Sequence, residues 1–500
     1  MQATITPGRI LFKRDKMIYG HFLEHFHRQV YGGIFMPGHP LSDENGFRTD
    51  VLEALKRIQT PVIRWPGGCY VSSYHWEKGV GTRVPCFDKA WRVEDDNSFG
   101  TDEFIALCRK LDCEPYICTN AGTGNEEEMS NWVEYCNLDC EGEYAKQRIA
   151  NGHREPYHVK YWSVGNENYG GWEIGAKGAA EWGRLAVEAA KMMKHVDPTT
   201  ELSAAALTDI EWNTHLLKMA SDHLNWISIH GYWDGLWEND SPANYEQCMA
   251  YTASLDNAIA KVRGLLTAFG LEKRIRIAYD EWNLRGWHHP KTHSIPMGVT
   301  KEDYLYPRDR NDLNATYTMA DAVFSACFLN TILRNADIVG MANFAPMINT
   351  RGGIFTYDEG IVLRSTYHVF DLYVNHMYDT VVDLYASENP TYDVIAKDGK
   401  PTCVNAVDAV ATVDAATGKM AVSLVNKHQD QPQAVQLRIP DVAIKYLQLL
   451  SLTGRSADDY NDIDRNFVVP FENNAAIQKS ENGTIELLLP AHSVNVLKIG

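Results

Sequence analysis

Between about residue 16 and residue 378, short apolar runs of strand type alternate with longer amphipathic stretches, and no other feature of the 500-residue chain constrains its fold so tightly. The runs are Met17 to Phe26, Val62 to Trp65, Pro115 to Asn120, Val159 to Glu167, Leu202 to Leu207, Trp226 to Tyr232, Ile275 to Trp282 and Ile338 to Phe344. Strand followed by helix, repeated, builds a parallel sheet from βα units, and eight such units close on themselves. The expected fold class is therefore α/β, a (β/α)8 TIM barrel.

The stretches between the runs are long enough for crossovers: Asp50 to Gln59, Thr101 to Leu111, Gly175 to His195, Tyr245 to Phe269 and Leu313 to Asn335. Gly270 follows the fourth as a helix-ending glycine should. After the segment Ser365 to His376 the pattern changes to β-type alternation, as in Lys419 to Val425, Ala434 to Ile439 and Thr484 to Leu489, broken by Gly, Asn and Asp turns. That texture predicts a C-terminal antiparallel β-sandwich of jelly-roll type. The strand-like stretch Gln2 to Phe12 precedes the first barrel run and has no partner there, so it is assigned to the sandwich. The expected organisation is a catalytic barrel over 16–378 and a sandwich built from 1–15 plus 379–500.

Composition excludes several partners. With 47 basic and 65 acidic residues the net charge is −18, which repels phosphate backbones and anionic membrane surfaces, so neither nucleic acid nor a membrane is expected as a partner. No window approaches 18 uninterrupted apolar residues, and the N-terminus has no basic stretch leading into an apolar one. The ten cysteines follow no disulfide framework and no CxxC spacing, which fits reduced thiols and a cytoplasmic location.

Candidate chemistry lies at the ends of the apolar runs, because in a barrel the C-terminal strand ends share one face. Glu167 ends Tyr161-Trp-Ser-Val-Gly-Asn-Glu, and Glu281 lies in Ile277-Ala-Tyr-Asp-Glu-Trp-Asn. Two carboxyl groups facing each other are what glycosidic hydrolysis needs, one to protonate the leaving oxygen and one to meet the oxocarbenium-like carbon. Singly, each glutamate reads equally well as a solvated loop carboxylate. Other strand ends add Glu24, Arg64, Asn166, His230 and Tyr232 to the same face. Arg64 is expected to hold Glu281 or Glu24 ionised by bidentate pairing. Asn166 is expected to bond a sugar hydroxyl, or else to sit in a plain turn. His21, His25 and His27 lack the HExxH spacing, and strand alternation sets them opposite Glu24, so no metal is expected. Gly67-Gly68 and Gly170-Gly171 match no phosphate loop and read as close backbone approach beside a ligand, or as turns.

Phe22-Leu-Glu-His, Arg64-Trp-Pro-Gly-Gly, Tyr74-His-Trp-Glu-Lys-Gly-Val-Gly, Asn120-Ala-Gly-Thr-Gly-Asn, Trp132-Val-Glu-Tyr-Cys-Asn, Val164-Gly-Asn-Glu, His230-Gly-Tyr and Asp280-Glu-Trp-Asn stand in the order found in glycoside hydrolase family 51. The chain resembles the α-L-arabinofuranosidases of that family across residues 16–378 and, less distinctly, the sandwich. The resemblance implies a retaining enzyme without metal or cofactor, with Glu167 as general acid/base and Glu281 as nucleophile. It places Glu24, Arg64, Asn166, His230 and Tyr232 around the sugar, and implies arabinofuranosyl oligosaccharides as substrate and a homo-oligomer. Two departures bear on sugar preference: Cys69, also beside the sugar, stands where many members carry Asn, and a glutamine associated with the eighth strand is replaced near Pro346. The insertion from Leu284 to Asn311, carrying Trp287, His288, His289, Tyr304 and Tyr306, either walls the leaving-group side or forms a surface loop. Rival readings are a β-xylosidase or endo-glucanase on the same barrel, and a carbohydrate-binding protein without turnover.

Overall fold

A computed structural model describes residues 1–236, 241–286 and 312–500. Eight parallel strands form one sheet: Gly20–Phe22, Val62–Trp65, Glu114–Thr119, Tyr161–Val164, Glu201–Ala204, Trp226–Asp234, Arg276–Arg285 and Val339–Phe344. Each falls on one of the eight apolar runs. The sheet closes between the fifth and sixth strands, where Ala206 donates to the Ser228 carbonyl at 2.9 Å and Asn225 to the Leu202 carbonyl at 2.9 Å. The first strand is shorter than its run, because Lys16–Tyr19 turns as a 3-10 helix capped by Asp15, whose side chain accepts from the Met17 amide.

Alternation decides what fills the barrel. Val62, Tyr116, Tyr161, Trp226, Ala278 and Met341 join Met17 in one buried cluster near the strand starts. Side chains two residues further along point the same way, so Arg64, Cys118 and Ser228, followed by His230 and Tyr232, stack above this plug toward the C-terminal mouth. The apolar layer thus sets the depth at which polar groups begin.

Outside the strands the helix Met319–Arg334 is buried on nearly every side, with Phe328 against Tyr279 and Trp282 on one flank. Three stretches read as single helices are shorter or divided. Tyr245 to Phe269 breaks into Tyr245–Tyr251 and Asp256–Ala268 around a 3-10 turn, where the Thr252 hydroxyl bonds back to the Met249 carbonyl at 2.7 Å. The helix expected from Leu313 begins at Met319, where Thr318 and Asp321 form a capping box. The one expected from Gly175 begins at Ala179. Gly270 has φ +68° beyond the last helical turn, as a terminating glycine requires.

The C-terminal part is a ten-stranded sheet whose inner faces share one apolar core, including Ile5, Val382, Leu424, Leu437, Leu487 and Leu497. The strand Gln2–Lys13 belongs to it and pairs antiparallel with Thr380–Glu388. Its other edge runs parallel to Gln433–Arg438, a pairing that departs from the all-antiparallel expectation. The second face of the sandwich is not free: Val410, Ala421, Val425, Leu452, Val494 and Val496 merge into the barrel's core. The segment 287–311, with Trp287, His288, His289, Tyr304 and Tyr306, lies outside the described residues.

Candidate active site at the C-terminal mouth of the barrel

Arg64 organises the mouth. Wholly buried on the second strand, it donates from Nη1 to Glu281 Oε1 at 2.6 Å and from Nη2 to Asn166 Oδ1 at 2.9 Å and Cys118 Sγ at 3.4 Å. Its Nε lies 3.4 Å from Asp280 Oδ2. Asp280 and Glu281 are consecutive, so strict alternation would aim them to opposite faces. The register with the sixth strand shifts between Ala278 and Glu281, and that with the eighth between Tyr279 and Trp282. This irregularity turns both carboxylates onto the same guanidinium, the re-aiming that bulges beside active sites provide. Of the two partners expected for Arg64, the structure gives it Glu281 and not Glu24.

Glu167 sits three residues past the fourth strand with φ +47°, a left-handed backbone that costs a non-glycine residue about 1 kcal/mol. There its Oε1 meets His230 Nδ1 at 2.8 Å and accepts from the Tyr169 hydroxyl at 3.3 Å, while Oε2 accepts from Trp172 Nε1 at 3.0 Å. His230 also faces Asp280 at 3.4 Å and Glu281 at 3.7 Å. Tyr232 donates its hydroxyl to Glu281 Oε2 at 2.7 Å. A carboxylate oxygen of Glu167, one of Glu281 and a ring nitrogen of His230 all lie within 4.8 Å of one another. The two glutamates, 114 positions apart in the chain, thus face each other across one narrow gap.

Charge distribution follows from these contacts. Burial alone would lower the His230 value, but Glu281, Asp280 and Glu167 around it push it up to about 10. Burial raises Glu167, yet the hydrogen bond and charge of His230, with Trp172 and Arg64, hold it below its ordinary value. Without substrate these contacts favour the shared proton on His230, one hydrogen bond away from Glu167. Asp280 is likewise kept low, since Arg64, His230 and the Ser228 hydroxyl outweigh its burial. Glu24 goes the other way, pushed up to about 8 by burial and by the charge of Glu281. Its Oε1 accepts from the Tyr70 amide at 3.1 Å and Trp91 Nε1 at 3.0 Å.

Gly68 runs between two of these acids: a Cβ there would stand 3.3 Å from Glu281 Oε1 and 3.5 Å from Glu24 Oε1. Its bareness keeps the space open, in line with the close-approach reading of Gly67-Gly68. Cys69 follows, half-buried, with its Sγ within 4.8 Å of carboxylate oxygens of Glu167 and Glu173. Asn166 is taken up by Arg64 and by Glu173 Oε2 at 3.5 Å. After the eighth strand, beyond Pro346, Arg351 lies 5.0 Å over the Tyr232 ring.

Sequence reasoning missed Asp280, Tyr169, Trp172, Glu173 and Arg351. Asp280 was hidden by alternation, whereas the others lie on loops where no periodicity applies. His21, His25 and His27 do not converge: His21 packs on Phe370, His25 bonds Asp95 at 2.9 Å, and His27 pairs with Asp312 at 2.9 Å. The strand ends at Phe22, so the alternation used to place the last two does not reach them.

Comparison with known proteins agrees with this geometry. Residues 280–493 match a family described as the α-L-arabinofuranosidase C-terminal domain, and residues 54–249 match the α-L-arabinofuranosidase 1 domain. The chain is 35% identical to the intracellular exo-α-(1→5)-L-arabinofuranosidase of Halalkalibacterium halodurans, with 84% of each protein covered. It is 32% identical to intracellular exo-α-(1→5)-L-arabinofuranosidase 1 of Bacillus subtilis, over 97% of this chain and 96% of that protein. The thermostable GH51 α-L-arabinofuranosidase of Thermotoga petrophila superposes with a TM-score of 0.88 at 34% identity, covering all of both chains. Whole-length similarity of this kind, joined to paired glutamates at the barrel mouth, makes the chain a member of the α-L-arabinofuranosidases of glycoside hydrolase family 51.

Proposed function

We propose that the chain removes terminal α-L-arabinofuranosyl groups from arabinan, arabinoxylan or their oligosaccharides by double displacement, with Glu281 as nucleophile and Glu167 as acid/base. The observation that carries the reading is the gap: carboxylate oxygens of the two glutamates lie within 4.8 Å. Retaining enzymes hold their carboxyl groups about 5–5.5 Å apart, whereas inverting ones leave about 6.5–9.5 Å for a water.

In the first step Glu281, fixed by Arg64 and Tyr232, attacks the anomeric carbon as Glu167 protonates the departing oxygen. The proton reaches Glu167 from His230 across their 2.8 Å contact. Ester formation removes the charge of Glu281, the leading cause that keeps His230 protonated. Glu167, now a carboxylate beside a neutral imidazole, takes a proton from water, whose oxygen attacks the ester carbon. Free Glu281 regains its charge and the proton returns to His230. Glu24, neutral below about pH 8, offers a hydroxyl donor to the sugar, and Asn166 and Cys69 line the same space.

Two variants test the assignment. Glu167→Ala should slow aryl arabinofuranosides with good leaving groups far less than arabinosyl-xylan fragments, and added azide should give an azide product of retained configuration. Glu281→Ala with azide should give the inverted product. Equal losses of Glu167→Ala on both substrate types would remove its acid role. The β-xylosidase and endo-glucanase readings are not favoured, and a panel of aryl glycosides separates them.

We infer further that 16–378 acts as the catalytic unit and 1–15 with 379–500 as its sandwich, a division supported by the pairing of the first strand. An intracellular location is supported by the names of the relatives and by ten free cysteines. No helix of the described residues is long and apolar enough to cross a membrane. Self-association is supported by the resemblance and by Ile10 and Tyr385, left 59% and 68% exposed on paired strands, and light scattering measures it.

A further inference from the structure

Cys69, Glu167 and Glu173 form a second grouping that the hydrolytic mechanism does not use as a unit. One ligating atom from each lies within 4.8 Å of the other two. Glu173 is only 5% exposed, and among the described residues its Oε1 meets no donor in hydrogen-bond geometry. The Ser72 hydroxyl and the Cys69 thiol act on the same carboxyl without offsetting its burial, so it keeps a proton, and a cation that displaced that proton would give Oε1 the partner it lacks. The sulfur narrows the choice: thiolate with oxygen ligands selects zinc-like ions over magnesium or calcium.

The neighbouring group of Glu167, His230 and Glu281 is equally compact but already satisfied, because His230 bonds Glu167 and Tyr232 bonds Glu281. We propose that Cys69, Glu167 and Glu173 form an inhibitory site for a thiophilic divalent cation, with Zn2+ as its type. Binding displaces the thiol proton of Cys69 and the carboxyl proton that Glu173 holds below about pH 8, and releases both to solvent. Three protein ligands leave the fourth tetrahedral position to water. Tetrahedral zinc sets its ligand atoms about 3.5 Å apart, so these side chains need to draw together by about 1 Å. Burial first, and the neighbouring carboxyl groups of Glu173, Glu167 and Glu24 second, keep the Cys69 thiol protonated until a cation displaces its proton. Once captured, Glu167 is withdrawn from His230 and hydrolysis stops.

The test titrates Zn2+ against hydrolysis of an aryl arabinofuranoside in a non-chelating buffer, each variant being scaled to its own metal-free rate. Wild type should be inhibited at micromolar Zn2+ and recover on adding EDTA, while millimolar Mg2+ leaves the rate unchanged. Cys69→Ala and Glu173→Gln should each raise the half-inhibitory concentration at least tenfold. A second readout needs no turnover and so is independent of the hydrolytic reading. With the exposed Cys140 and Cys403 replaced by Ser, Co2+ should produce a thiolate charge-transfer band that Cys69→Ala abolishes. Unchanged zinc sensitivity in Cys69→Ala, inhibition equal with Mg2+, or a cobalt band that survives that substitution overturns the proposal.

Discussion

His230→Gln is the most informative single change, because it removes the titratable cation beside Glu167 while keeping side-chain volume and one amide donor. His230 touches Glu167 at 2.8 Å, Asp280 at 3.4 Å and Glu281 at 3.7 Å, and these carboxylates push its value up to about 10. A hydrogen bond to a charged group contributes about 1.5–3 kcal/mol, which corresponds to roughly a 10- to 150-fold loss in kcat/KM. The pH profile carries the sharper prediction. On the proposed mechanism the catalytic proton belongs to the Glu167–His230 pair, so the alkaline limb of the wild-type kcat/KM should follow the pair's last proton and lie well above the carboxylate range. In His230→Gln only Glu167 can hold that proton, so the alkaline limb should move down by more than one pH unit. Initial rates on an aryl arabinofuranoside from pH 4 to 10.5, with circular dichroism to verify folding, measure both. A variant with less than threefold loss and an unmoved alkaline limb would refute the shared-proton argument.

Three further outcomes follow from contacts elsewhere. Glu173 is pushed up to about 8 by burial, so between its ordinary 4.5 and 8 the folded protein binds a proton that the unfolded chain has released. Stability therefore falls as pH rises through that window, by up to about 4 kcal/mol; Glu173→Gln should flatten the dependence of Tm on pH between 5 and 8. Lys397, on the sandwich side, reaches Asp234 Oδ1 at 2.6 Å and the Ser241 carbonyl at 2.8 Å, and Asp234 is wholly buried with Arg285 and the Ala243 amide as its other partners. Lys397→Met should cost about 1–3 kcal/mol, read as a lower urea midpoint. Trp172→Ala removes a donor to Glu167 at 3.0 Å and should lower kcat/KM about fivefold, more on substrates with poor leaving groups than on good ones.

Periodicity along the chain was enough to specify the eight barrel strands, the strand composition of the C-terminal part and the membership of Gln2–Lys13 in the sandwich. Each follows from which face of an element is apolar, and that information is local. The same rule put Arg64, His230 and Tyr232 at one mouth, since each continues an inward-facing row above an apolar residue. Pairing across the barrel was a different matter. Whether Arg64 meets Glu24 or Glu281, and whether Asp280 joins it, depends on a register irregularity in the seventh strand that inverts the parity of two adjacent side chains. The charge on His230 depends on three carboxylates, two adjacent on one strand and one from a loop, converging on its imidazole. Glu173, Trp172 and Cys69 meet Glu167 on irregular segments, where backbone direction is set by tertiary contacts rather than by any repeat. Sequence spacing dictated which groups reach the mouth of the barrel; only the closed, packed sheet decided which of them touch, because electrostatics depends on distances of a few ångströms that no one-dimensional pattern records.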